Sequence, residues 1–248
     1  DPERDALRMA NHTRVFHTRP DRATVLEAVT KQFHSGEGAI QFAPEALARS
    51  NADLLNTPEL RSEFIEIYCD QGREEAGRWL TTHHPDISAA ELEHRLGRYG
   101  LNPCGEILGA DFHCNLAEIH LNRIDPEDLV SQEEAFTAGG LAVACLLNHR
   151  FEVERYRQSR AWDPIVGVSF TGLFDFFVHA FGTPWLQWWE AGRPDTEEGR
   201  SFKAKEAAYL SRWKEIVNQA VWDYCDRHGL RRPNRCLPVQ PAGAKSLL

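Results

Sequence analysis

Short apolar runs alternate with longer helical stretches along this chain, and this alternation constrains the fold more than any other feature. Three runs have the length and composition of buried strands: "AIQFA" from residue 39, "CNLAEIHL" from residue 114 and "IVGVSF" from residue 165. A helix that connects two strands usually returns the chain to a parallel neighbour. The pattern therefore predicts an α/β fold with parallel strands, in a layer or a barrel.

Helical patterns fill most of the remaining sequence. Asp21 is a good N-cap for a helix that "HSGEG" ends, and its apolar positions are Val25, Leu26, Val29 and Phe33. Residues 44–100 predict a polar helical insert. Further helices are predicted from Pro126, over "TGLFDFFVHAFG", and from Thr196 to His228.

Two segments towards the end of the sequence have less regular patterns. "TPWLQWWEAG", from residue 183, is predicted to pack between elements, with a stacking surface or a seam with another chain as alternatives for Trp185, Trp188 and Trp189. "RCLPVQPAGAKS", from residue 235, predicts a strand, a turn and a loop of the size that holds a phosphate.

Charge and hydropathy exclude several classes of protein. The chain has 28 basic and 37 acidic residues and a net charge of −9, which argues against polymeric nucleic acid as a partner. No apolar run approaches the roughly 18 residues of a membrane span, and the first residues lack the apolar stretch of a signal peptide. The composition predicts a soluble, cytoplasmic protein with no membrane partner. Six cysteines are too few for a disulfide scaffold, so reduced thiols are expected at Cys69, Cys104, Cys114, Cys145, Cys225 and Cys236.

The stretch "LNPCGEIL", at residues 101–108, carries the clearest chemistry. Pro103 fixes its own φ and Gly105 permits a tight turn, so Cys104 is predicted at the tip of a stiff loop. In an extended or finger-like loop, residues two apart face the same way, so Asn102, Cys104 and Glu106 are expected to face one ligand. This set suits a diol: the amide orients a hydroxyl, the carboxylate accepts its proton, and the sulfur attacks or abstracts.

A second cysteine, Cys114, follows ten residues later. If the intervening segment folds back as a hairpin, Cys114 is placed to donate electrons. The alternatives are structural cysteines, or half of a zinc site that includes His113, although no C-x₂-C pair occurs in the chain. His83 and His84 are predicted to lie in a solvated loop.

Five segments together resemble the class II, adenosylcobalamin-dependent ribonucleotide reductases. "NPCGEI" followed by "CNL" is similar to the active-site finger of that family. "ALRMANHTRV", which contains Asn11, resembles its Ser-Asn-Asn-Ser-type segment, and "SGEGAIQF" resembles its Gly-Glu-x-Gly strand. "IVGVSFTGLFDFF" resembles a strand-helix junction of the family, and "LPVQPAGAKSLL" its phosphate loop. The segments occur in the family's order.

The resemblance implies a ten-stranded α/β barrel with the cysteine finger in its centre. Residues 1–248 would form a middle and C-terminal portion of that catalytic domain. Within it, residues 44–100 are the helical insert, residues 101–121 the finger and following strand, and residues 236–248 the phosphate loop.

The resemblance also implies roles for the finger residues. Cys104 would be the thiyl-radical residue that abstracts the 3′ hydrogen of a ribose. Glu106 would deprotonate the 3′ hydroxyl, and Asn102 would hydrogen-bond the ribose hydroxyls. Cys114 would be one of two thiols that reduce the 2′ carbon as water leaves. The remaining four cysteines are expected to be structural.

Substrate contacts are implied at Asn11 and in the phosphate loop, at Ala242, Gly243, Ala244, Lys245 and Ser246. Ala242 and Ala244 stand where the family usually has Ser and Thr. Two hydroxyl donors are therefore missing, and binding would depend on backbone N–H groups, Ser246 and Lys245.

The implied partners are a ribonucleotide substrate, with a leaning towards triphosphates, a dNTP effector and a thioredoxin-like reductant. The family's redox partner for Cys114 and its C-terminal shuttle cysteines have no counterpart in this sequence. The expectation is therefore a split enzyme or a piece of a precursor, inactive until a companion chain completes the barrel. Two alternatives stay open: a non-catalytic helical interaction module with a vestigial finger, and a cysteine-ligated zinc protein.

Overall fold

The structure, a computed structural model, describes residues 13–36, 38–102 and 104–241. Contacts between residues divide the chain into two units, Asp1–Asp111 and Phe112–Leu248. Both units mix helices with short strands, which confirms the predicted α/β class. Their described residues form three two-stranded sheets and no closed barrel. Among these residues no helix combines the length and the apolar character needed to cross a membrane.

The first unit begins with a strand-helix-strand motif. Strand β1 (Thr13–Phe16) pairs in parallel with β2 (Ala39–Phe42), and helix α1 (Arg22–Ser35) connects them. The Asp21 carboxylate accepts a hydrogen bond of 2.7 Å from the Thr24 N–H, and Gly36 ends the helix in the left-handed region at φ 70°. The strand at residue 39 and the capped helix are therefore confirmed.

The apolar side chains that predicted α1 are exposed in the structure, although an apolar helix face is normally buried. Leu26 is 63% exposed and Phe33 is 83% exposed, while Ala28 is the buried residue of the helix. The helical spacing of the apolar residues correctly predicted a helix. No described residue packs over the apolar face of that helix enough to bury it.

The segment predicted as a helical insert is helical, and it contains four helices. They are α2 (Ala43–Ser50), α3 (Pro58–Gln71), α4 (Arg73–His83) and α5 (Ala89–Leu96). Thr57 and Ser88 accept hydrogen bonds from the first turns of α3 and α5. The insert has its own apolar core, which contains Leu47, Leu55, Phe64, Tyr68, Ala76, Leu80 and Leu96. A two-stranded antiparallel hairpin, β3 (Gly100–Leu101) and β4 (Leu108–Gly109), follows.

The second unit also contains a parallel pair of strands. Strand β5 (Leu116–His120) pairs with β6 (Gly167–Thr171), and helices α6 (Leu129–Cys145) and α7 (Glu154–Trp162) lie between them in the sequence. Helices α8 (Leu173–Glu190) and α9 (Glu197–Arg227) follow. An aromatic core that includes Phe136, Phe176 and Trp213 holds these elements together.

The aromatic segment "TPWLQWWEAG" packs against other elements, as predicted. Most of it forms the second half of α8, after a kink at Gly182 and Pro184. Trp185 and Trp188 are buried in the core, and Trp189 is 43% exposed. Core packing is therefore correct for the first two tryptophans.

One prediction for the second unit is wrong: the segment from residue 235, predicted to begin as a strand, contains no strand as far as residue 241. It runs beside β6 and accepts one backbone hydrogen bond, from Val168 N–H to Cys236 O at 2.8 Å. Pro238 has no N–H to donate and packs where a side chain on Gly167 would lie, 2.5 Å from its Cβ position. Gln240 instead reaches the sheet through its N–H to Ser169 Oγ (3.1 Å) and its side chain to Glu118 Oε2 (2.9 Å).

Candidate functional site

The cysteine loop is a tight turn at the end of the β3–β4 hairpin. The Asn102 N–H donates to Ile107 O at 3.2 Å, and the Gly105 N–H donates to Asn102 O at 2.9 Å. Gly105 has φ 80°, in the left-handed region that favours glycine. Cys104 is exposed at this turn. The structure thus confirms a cysteine at the tip of a hydrogen-bonded loop.

Asn102 has a structural role in addition to its predicted one. Its side-chain oxygen accepts a hydrogen bond of 2.9 Å from the Ile107 N–H, so this oxygen stabilises the hairpin. The amino group is then the part of the amide that can donate to a ligand. Because the segment is a turn, alternation along an extended chain does not place Asn102, Cys104 and Glu106 on one side, and their contact with one ligand stays a prediction.

Glu106 is the residue of the loop with unsatisfied bonding capacity. The side chain is half-buried, and its Oε2 atom is buried without a hydrogen-bond partner among the described residues. A buried carboxylate oxygen without a donor is unfavourable, commonly by several kcal/mol. A hydroxyl group of a ligand would supply the missing donor. This atom is the strongest sign in the loop that something else binds there.

Cys114 lies in the second unit, two residues before β5, and is half-buried. Next to it, the Asn115 side chain donates to Ile165 O at 2.9 Å, which fixes the beginning of the β5–β6 pair. The hairpin predicted to bring Cys114 back ends at Gly109, before this residue. A joint role for the two sulfurs therefore stays a prediction.

The other cysteines differ in exposure. Cys225 and Cys236 are buried, and burial together with the nearby Cys225 thiol raises the pKa of Cys236 to about 12. Burial also raises the pKa of Cys69. These environments suit the predicted structural roles. Cys145 differs, since it is exposed at the end of α6.

Several predicted residues lie outside the described part of the chain. These are Asn11, Ala242, Gly243, Ala244, Lys245 and Ser246. The segment that leads to them is described as far as residue 241 and is attached to the sheet through Gln240.

No group of three or more His, Cys, Asp or Glu side chains among the described residues is arranged to hold a metal ion. His83, at the end of α4, bonds through Nδ1 to Trp79 O at 2.9 Å and stacks on the Trp79 ring at 4.1 Å. His84 is the residue that follows this helix.

Two features near functional positions were missed by sequence reasoning. One is a polar cavity of about 580 Å³ in the second unit, lined by the loop after β5 and by His179 and Tyr209. The other is the half-buried His94 bonded to the buried Arg98, at the base of the cysteine hairpin. Local sequence holds no signal for the cavity or for the partners of this pair, because Asn51 and Ala110 lie far from Arg98 and His94 in the chain.

Comparison of the chain with family models, curated proteins and solved structures finds no match.

Proposed function

We propose that this chain carries the radical-bearing cysteine of a ribonucleotide reductase. One observation supports this most strongly: an exposed thiol, Cys104, at a hydrogen-bonded turn two residues from a buried carboxylate oxygen of Glu106 that has no described partner. A thiol next to a carboxylate that needs a hydroxyl donor suits a reaction on a sugar diol. The resemblance of "NPCGEI" to the family's finger gives this chemistry a specific reaction.

In the proposed reaction, each finger residue has a separate task. Cys104, as a thiyl radical, removes the 3′ hydrogen atom of the ribose, and Glu106 accepts the proton of the 3′ hydroxyl. The side-chain amino group of Asn102 donates to a ribose hydroxyl. Cys114 and a second thiol give two electrons and two protons, so the 2′ hydroxyl leaves as water and the two sulfurs form a disulfide. The hydrogen atom then returns from Cys104 to the 3′ carbon.

The cofactor implied by the resemblance is adenosylcobalamin, which would oxidise a thiol by homolysis of its carbon-cobalt bond. The exposure of Cys104 fits this role, because a radical generator must reach the sulfur from outside the hairpin. The contribution of the chain is to present that sulfur at a fixed turn.

The remaining components of the proposal come from the resemblance. They are a ten-stranded barrel completed by a companion chain, a ribonucleoside triphosphate bound at Asn11 and residues 242–246, a dNTP effector and a thioredoxin-like reductant. The companion chain would supply the second thiol. The proposed compartment is the cytoplasm.

The proposal is tested with the chain in complex with a copurifying or neighbouring-gene partner, supplied with adenosylcobalamin, a dithiol and each ribonucleotide. Deoxynucleotide formation should be lost in Cys104→Ala and should fall by about 10²-fold or more in Glu106→Gln, which cannot accept the proton. Cys145→Ala is the matched control, because that cysteine is also exposed but lies outside the finger. A complex that keeps its activity with Cys104→Ala would contradict the proposal.

A further inference from the structure

The base of the cysteine hairpin is attached to helix α5 on both sides. Strand β3 begins at Gly100, a few residues after α5 ends at Leu96. The other strand, β4, ends at Gly109, and the next residue, Ala110, receives a hydrogen bond of 3.3 Å on its carbonyl oxygen from His94 Nε2 on α5. The chain itself keeps β3 close to α5, and the His94 side chain bonds the residue that follows β4.

The direction of these hydrogen bonds follows from the chemistry of arginine. Arg98 Nε lies 3.2 Å from His94 Nδ1, and a guanidinium can only donate. His94 Nδ1 must therefore accept, which places the ring proton on Nε2. This proton is the one that His94 donates to Ala110 O.

Hydrogen bonds through Asn51 connect Arg98 to α2. Its side chain is fully buried, and its Nη1 donates to the Asn51 side-chain oxygen at 3.2 Å. Asn51 is also fully buried, accepts from Arg95 Nη1 at 3.1 Å and donates to Leu47 O at 2.9 Å. A continuous path of hydrogen bonds therefore connects α2 to the hairpin, through Asn51, Arg98 and His94.

The charges around His94 favour the neutral ring. Burial lowers the pKa of His94 to about 4, the positive charges of Arg98 and Arg95 act in the same direction, and the Ala110 carbonyl and Asp111 oppose them. At neutral pH the ring therefore carries one proton and keeps both hydrogen bonds.

We propose that His94, oriented by Arg98, is the positioning residue of the cysteine hairpin and fixes the place of the Cys104 sulfur. The catalytic meaning of this role rests on the proposed function. Reactions that depend on proximity lose rate when the reacting atom moves by about 1 Å, so a hydrogen bond that ties the end of β4 to α5 would help to hold a reactive sulfur in place.

Two substitutions of His94 separate this role from ordinary packing. His94→Gln keeps a donor towards Ala110 O and an acceptor towards Arg98, whereas His94→Leu keeps volume but loses both. Hydrogen exchange of the full chain reports on the hairpin through the amides of Asn102, Gly105 and Ile107, which are all hydrogen-bonded in the turn.

The expected result is that His94→Leu raises exchange at these three amides by about tenfold or more, while His94→Gln stays within about twofold of the wild type. The amides of α3 should be unchanged in both variants, which shows that the insert stays folded. In ¹⁵N spectra at neutral pH the His94 ring should be protonated at Nε2, the nitrogen that faces the Ala110 carbonyl oxygen. The proposal would be overturned if the three amides exchanged at the same rate in the wild type and in His94→Leu. It would also be overturned if His94→Leu and His94→Gln raised the exchange rates equally.

A second readout separates this proposal from the proposed function. In the complete reductase complex, His94→Leu should lower kcat by about tenfold with little change in KM, because substrate contacts are kept. If the hairpin loosens but the wild-type complex forms no deoxynucleotide, the positioning role stands and the reductase proposal fails. If a Cys104-dependent reductase keeps its kcat in His94→Leu, the positioning role fails.

Discussion

The turn that carries Cys104 and the buried pair Cys225 and Cys236 put the same side chain in opposite surroundings. Cys104 is exposed, and Glu106, two residues later in the chain, has a buried carboxylate oxygen with no described partner. Cys225 and Cys236 are 0% and 2% exposed and belong to an apolar core. The difference shows that the fold decides which sulfur in this chain can take part in chemistry, since the residue type is the same.

Thiol alkylation gives the largest expected difference between the two regions. With a pKa of about 12, Cys236 would be ionised in only about 10⁻⁴ of molecules at pH 8, and burial also blocks access. Iodoacetamide should therefore modify Cys104 at least about 100-fold faster than Cys236 in the native protein. Peptide mapping by mass spectrometry measures both rates in one sample.

Cys145 is the internal control for exposure, and in denaturant the rates of all cysteines should converge. Similar native rates at Cys104 and Cys236 would mean that the two environments are not different in the way described.

Serine substitution should separate the two regions in stability. Cys236→Ser places a hydroxyl in an apolar core and should lower the free energy of unfolding by about 1–3 kcal/mol. Cys104→Ser changes an exposed position and should alter it by no more than about 0.5 kcal/mol. Urea unfolding monitored by circular dichroism measures both, and a larger loss for Cys104→Ser would refute the comparison.

The dependence of stability on pH should have opposite directions at His94 and at Cys236. The pKa of His94 is lowered from 6.5 to about 4, so its contribution is present above pH 6.5 and is lost as pH falls towards 4. The pKa of Cys236 is raised from 9.0 to about 12, so its contribution is present below pH 9 and is lost as pH rises towards 12.

Urea midpoints of three proteins across pH test this difference. Relative to the wild type, His94→Gln should weaken the acid dependence alone, and Cys236→Ala the alkaline dependence alone. If His94→Gln left the acid dependence unchanged, His94 would not be the half-buried, neutral histidine described at the hairpin base.

Local signals predicted much of the fold. Asp21 caps α1 and Thr196 precedes the first residue of α9, as predicted, and the apolar runs from residues 39, 114 and 165 contain the strands β2, β5 and β6. Gly105 supplies the left-handed conformation that the turn before Glu106 requires. Each of these features is decided by residues within a few positions of one another.

The errors and omissions involve residues far apart in the chain. The hydrogen bonds from Arg98 to Asn51 and from His94 to Ala110 join residues that sequence patterns treat separately. Nothing in the local sequence distinguishes a buried arginine from an exposed one, because its burial depends on hydrogen-bond partners elsewhere in the chain. Pro238 likewise prevents a regular strand because it meets Gly167, a contact that no local pattern contains.

In the proposed reaction, the sulfur of Cys104 exchanges a hydrogen atom with the 3′ carbon of a ribose. The most direct test is deoxynucleotide formation by the complete complex from a ribonucleotide that carries deuterium at the 3′ position. We expect a primary isotope effect on kcat/KM in the wild type and no product in Cys104→Ala. Product formation without an isotope effect, and at the same rate in Cys104→Ala, would contradict it.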